Sequence, residues 1–169
     1  MDSEVSLLLD RADNELLAAR SLSKLSEDNK LKTEMLLPPQ TTFYSSVISH
    51  SYYSIFYSAK AYLLHKNIKL SSEQGQHQQV YFKFKQLVQK GILQEELLDI
   101  YEDIKLKAEK LLEVLHEEKE KRKIFTYQTI PQANKSPAQD SIKNASFFIS
   151  HIKSFINLQS NPKPATQNP

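Results

Sequence analysis

The chain has 169 residues, 40% of them hydrophobic and 25% charged, and its 22 basic and 20 acidic side chains leave a net charge of +2. That composition suits one domain with its own core and excludes wholesale disorder, and the charge balance excludes a uniformly basic nucleic-acid domain, so any such site has to be local. With no cysteine there is no disulfide, thiolate metal site or cysteine nucleophile; no apolar run nears the roughly 20 residues of a membrane span, and the acidic start predicts no signal peptide and a cytoplasmic protein.

Only two glycines occur, and the prolines fall between periodic runs, as an all-helical chain requires. Val5, Leu8, Leu9, Ala12, Leu16, Ala19 and Leu22 recur at spacings of three and four, predicting a helix from about Ser3 to Asp28. Pro38 and Pro39 suit the first turn of a second helix, expected over about Gln40 to Lys66. A shorter helix is expected from about Gln76 to Lys90 with Gly91 as its C-terminal cap. A long one starts near Leu93 and reaches the 120s, acidic early and basic late, the order the helix dipole favours. Ser136-Pro137-Ala138-Gln139 reads as a capping box with proline in the first turn, opening a last helix that ends before NPKPATQNP. The expectation is an all-α, up-and-down bundle of four to five helices in one domain, 1–159, with 160–169 a disordered tail.

The second helix carries the densest aromatic run. Tyr44, Ile48, Tyr52, Ile55, Ala59 and Tyr62 fall along one side, and Val47, Phe56 and Leu63 widen the arc until little polar face remains. That pattern places it at the centre of the bundle, with Ser51, Ser54, Ser58 and Ala61 allowing close backbone approach. Most of its rings read as core, although the same rings could stack on bases.

The segment Ser51-Tyr52-Tyr53-Ser54-Ile55-Phe56-Tyr57-Ser58-Ala59-Lys60-Ala61 resembles the S-Y-Y-A-x-F-x-A-A-K-A helix of the HEPN family, the higher eukaryote and prokaryote nucleotide-binding domains. His77 with Val80 resembles the histidine opening that family's next helix, Arg122-Lys123-Ile124-Phe125-Thr126-Tyr127 resembles its R-x-x-A-D-Y, and Ala138 to Ile149 resembles its final helix. These matches follow one another in the expected order over about residues 5–158. The resemblance implies a HEPN-like helical bundle that forms a homodimer, binds nucleotide or RNA and partners a minimal nucleotidyltransferase in a toxin–antitoxin type pair. HEPN ribonucleases pair an arginine with a histidine four to six residues on, whereas Arg122 is followed there by Tyr127, Gln128 and Thr129. Tyrosine, with an ordinary pKa of about 10, is a poor proton acceptor near neutrality, so binding without cleavage is expected. A diverged endoribonuclease and a non-catalytic interaction module are the alternatives.

Arg122, Lys123 and Tyr127 are therefore the candidate nucleotide- or RNA-binding residues. Arg122 can fork onto a phosphate or form an exposed i,i+4 pair with Glu118, Tyr127 can stack on a base or pack where the helix frays, and Lys123 belongs to a basic helix end. Arg122 and Tyr127 share a face only if the helix ends between them. The five histidines show no H-E-x-x-H spacing, so no metal site is expected, and two glycines cannot build a phosphate-binding or dinucleotide loop, so no cofactor is expected.

Overall fold

The structure is a computed structural model and describes residues 2–71, 75–121 and 135–160. These form six helices and no strand: α1 (Ser3–Glu27), α2 (Asn29–Glu34), α3 (Tyr44–His65), α4 (Gln76–Gln89), α5 (Glu95–Lys121) and α6 (Lys135–Ser160). No described helix is long and apolar enough to cross a membrane. The expected tail beyond Ser160 lies outside the described residues.

Capping chemistry sets most boundaries. The Asp2 side chain accepts from the Glu4 N–H at 3.0 Å and opens α1. Asp28 both ends α1 and opens α2, its carboxylate accepting from the Lys30 and Leu31 N–H groups at 3.0 and 3.1 Å. That single residue creates the short helix the apolar periodicity passed over. Three helices close with the same pair of bonds. After α4, Gly91 N–H donates to Val88 and Ile92 N–H to Leu87; after α3, Asn67 donates to Leu64 and Ile68 to Leu63; after α2, Leu36 donates to Thr33 and Leu37 to Lys32. The pivot residue is left-handed in each, at φ 69°, 56° and 56°, so glycine at 91 suits the geometry while Leu36 adopts it against its Cβ.

Two expected helix starts differ. Pro38 and Pro39 lie in a turn before α3, closed by Thr41 N–H on the Pro38 carbonyl at 2.9 Å, and α3 begins only at Tyr44. Helix α6 as described runs from Lys135, so Ser136 lies inside it and not at its cap, and the Gln139 side-chain N–H donates across to Glu27 of α1 at 3.0 Å.

Cross-helix contacts give the directions. Asp13 meets Lys153, Arg20 meets Ser146 and Glu27 meets Gln139, so α1 and α6 run antiparallel. Glu15 meets His50 and Ser26 accepts from the Phe43 N–H, so α1 and α3 are antiparallel as well. Tyr101 packs on Phe148, and Leu111 lies with Ile142, which sets α5 against α6. The long helices α1, α3, α5 and α6 thus alternate in direction, with α4 packed against α3 and α5.

Helix α3 is the hub, in contact with α1, α4, α5 and α6. Val47, Ile55, Ala59, Ala61 and Leu63 have no exposed surface, and neither do Ser51, Ser54 and Ser58. The small serines give the room for this: Ser54 and Ser58 donate to their own helix, to the Ser51 and Ile55 carbonyls, and need no partner from a neighbour. Across the bundle, Phe84 of α4, Tyr101 of α5 and Phe148 of α6 stack with centroids 5.4–6.1 Å apart, so one aromatic layer ties three helices together.

Candidate functional site

The outward side of α3 is where polar and aromatic chemistry meets. Helical spacing aligns His50, Tyr53, Tyr57 and Lys60 at intervals of three and four. Helix α1 adds Arg11 and Glu15, and α4 adds Gln76 and His77.

Glu15 anchors one end. It is 8% exposed, receives Arg11 at 2.9 Å on one carboxylate oxygen and faces His50 Nδ1 at 2.6 Å through the other. A buried carboxylate held from two sides is satisfied, and it fixes both partners, leaving Nε2 as the outer nitrogen of His50. The Arg11 guanidinium also stands 5.4 Å from the centre of the Tyr57 ring.

Aromatic rings carry the surface onward. Tyr57 lies 6.5 Å from Tyr53 at an interplanar angle of 30°, and Tyr53, 40% exposed, meets the edge of His77 at 5.6 Å. The His77 ring stacks on Phe56 at 3.9 Å and 17°, and its Nδ1 is 3.0 Å from the Tyr52 hydroxyl. Lys60 donates to the Gln76 side-chain oxygen at 2.8 Å, placing an ammonium beside the rings.

Burial pushes the Tyr52 phenol up to about 12, so it remains a donor. Burial, then the nearby Lys60 charge, lowers His77 below its usual 6.5. A neutral His77 ring accepting from Tyr52 at Nδ1 fits both shifts. The linkage follows directly: the unfolded imidazole takes up its proton near pH 6.5, before the folded one does. Stability is therefore full above that value and declines as pH falls toward the lowered folded value. Chemical denaturation at pH 7.5 and pH 5.5 should show wild type losing stability over this window, and His77→Gln losing less. Equal losses in the two proteins would mean that His77 titrates as it does in the unfolded chain.

The arrangement suits planar, negatively charged molecules: rings to stack on a base, with Arg11, Lys60 and the outer nitrogen of His50 in reach of phosphate oxygens. Among the described residues no three His, Asp or Glu side chains stand together as a metal-ligand set. Arg122, Lys123 and Tyr127 lie outside the described residues, as does the expected end of a helix between Arg122 and Tyr127. The described chain stops at Lys121 and resumes at Lys135. His50 and His77 are both partly buried and hydrogen-bonded. Sequence reasoning missed Arg11, Glu15 and Lys60. The detectable signal was Glu15 itself, an acid set between Ala12, Leu16 and Ala19 on the apolar stripe of α1.

Compared with known proteins, the chain matches no family model, no curated protein and no solved structure.

Proposed function

We propose that the chain is a HEPN-like helical protein that binds nucleotide or single-stranded RNA, acts as a homodimer and partners a minimal nucleotidyltransferase in a toxin–antitoxin type pair. One observation carries the binding part of this reading. The segment from Ser51 to Ala61, which bears the family resemblance, turns Tyr53 and Tyr57 outward between Arg11 and Lys60, a combination that binds single strands by stacking and charge. Arg122, Lys123 and Tyr127 are proposed as binding residues on the family pattern alone. Dimerisation rests on the family pattern, and exposed large apolar side chains such as Leu7, Leu17 and Leu106 are surface that a second copy would cover.

The test is titration of a fluorescent single-stranded oligoribonucleotide and of an adenine nucleotide, with sedimentation of the same samples. Tyr53→Ala should weaken binding by about 1–3 kcal/mol, the usual loss of one base–aromatic stack. Arg122→Ala should also weaken it, and affinity should fall as salt rises. Unchanged binding in both variants, or no binding by wild type, would remove the site.

A second reading, a metal-independent endoribonuclease, has one observation in its favour: Glu15 holds His50 in the way a base-orienting carboxylate does. The expected result is binding with no cleavage of the RNA. Cleavage by metal-free protein that is lost in His50→Asn or Arg122→Ala would establish the ribonuclease instead.

A further inference from the structure

At the end of the bundle where α1 finishes and α3 and α6 begin lies a cleft of about 680 Å³, lined in part by Ser26, Glu27, Lys32, Gln40, Tyr44 and Lys135. Lys32 belongs to α2 and is 4% exposed. Its ammonium donates to the Pro39 carbonyl at 2.8 Å and has no ion pair among the described residues. An ammonium has three N–H groups to satisfy, and a neutral carbonyl answers one of them without balancing the charge. Taking such a cation out of water is unfavourable unless an anion joins it.

The cleft wall does not supply that anion. Its one carboxylate among the described residues, Glu27, is engaged by Lys135 at 3.2 Å and Gln139 at 3.0 Å. Lys32 and Lys135 against Glu27 leave one positive charge in excess. The remaining lining is rich in donors: the Tyr44 hydroxyl, held protonated by burial and by the Glu27 charge, the Gln40 and Asn29 amides, and the Thr42 hydroxyl. A volume in the usual range for small-molecule sites, a buried cation with no ion pair among the described residues and donors on several sides together describe an anion site.

We propose that this cleft binds a phosphate group, with Lys32 as its buried anchor and Lys135 and Tyr44 at its rim. Phosphate suits the donors better than carboxylate does, because its three or four oxygens can be reached from several directions at once. The group can come from a free phosphate ester or from the 5′ end of an RNA. The site does not depend on the stacking surface of α3, since Tyr44 opens that helix nine residues before Tyr53, about 13 Å away along the axis.

The experiment is calorimetric titration of the full chain with inorganic phosphate, acetate, adenosine 5′-monophosphate, and one oligoribonucleotide with and without its 5′-phosphate. Inorganic phosphate should bind wild type, and Lys32→Met, which retains an unbranched apolar stem, should bind it about tenfold or more weakly, as expected for loss of a charged hydrogen-bonding partner. Tighter binding of the monophosphate points to a free ester. A gain that requires the 5′-phosphate on the oligonucleotide points to an RNA end. Should Lys32→Met fail to fold, Lys135→Gln carries the test, since that side chain is half exposed and should lower phosphate affinity without unfolding the chain. Tyr53→Ala should leave phosphate binding intact, which separates this site from the proposed RNA surface. No heat with phosphate, equal binding by wild type and a folded lysine variant, or acetate binding as tightly as phosphate would overturn the proposal.

Discussion

Phe84→Ala is expected to remove about 3–5 kcal/mol of unfolding free energy, the usual range for deleting a packed phenyl ring. Phe84 has no exposed surface, and its ring lies 5.8 Å from Tyr101 and 5.4 Å from Phe148. Truncation therefore costs the transfer of the ring and also two aromatic contacts that join α4 to α5 and α6, each worth about 0.5–1.5 kcal/mol beyond area. Rigid neighbours on three helices leave little room for the cavity to collapse. Against a typical total stability of about 5–15 kcal/mol, the loss is large enough to read directly in a urea melt. The midpoint should fall with the slope unchanged. Phe82→Ala is the paired control: that ring is 54% exposed and its loss should stay within about 0.5 kcal/mol. Ile55→Ala, at the hub of the bundle, belongs with Phe84 and should cost about 2–5 kcal/mol. A loss under 1 kcal/mol at both buried positions would contradict the packing described for α3 and α4.

Tyr101→Phe should act in the opposite direction. The Tyr101 ring is fully buried between Phe84, Phe148 and Tyr81, yet its hydroxyl has no hydrogen-bond partner among the described residues. Burial raises its pKa well above the ordinary phenol value, so the group remains a neutral, unanswered hydroxyl. Leaving such a group unpaired costs about 1–3 kcal/mol, and phenylalanine keeps every ring contact while removing the cost. The variant should be more stable by about 1 kcal/mol, a rise in Tm of roughly 2–4 °C for a chain of this size. Destabilisation would show that the hydroxyl has a partner, such as a buried water.

Ile55 was legible in the sequence because helical period marks the buried side of a helix, whereas the buried Tyr101 lay on no stripe that the spacing marked. The stripes of α1 and α3 fall where spacings of three and four placed them, and Gly91 closes α4 because only a left-handed residue fits there. What period does not encode is an interaction between distant residues. Pro38 and Pro39 looked like a helix start, but the turn they occupy is tied to α2 by the Lys32 ammonium, and α2 exists because Asp28 caps it. Gln139 looked like half of a capping box, and nothing local announces that its amide N–H donates to Glu27, 112 residues earlier. The same limit applied to the site. Glu15 was visible as an interruption of a stripe, while its partners Arg11 and His50 emerge only when α1 and α3 lie antiparallel. Lys32 carried no signal, since its burial is a property of the turn folded over it.

The antiparallel pairing of α1 with α6 has a practical side. Because Glu27 meets Gln139 and Asp13 meets Lys153, the beginning of α1 and the end of α6 come together at the end of the bundle remote from the Lys32 cleft. Fluorescent reporters attached at the start of α1 or near the described end of α6 would share that pole and leave the cleft clear. The same closeness makes the domain a good candidate for circular permutation, with a short linker joining Ser160 to Ser3 and new ends opened in the polar connection between α3 and α4.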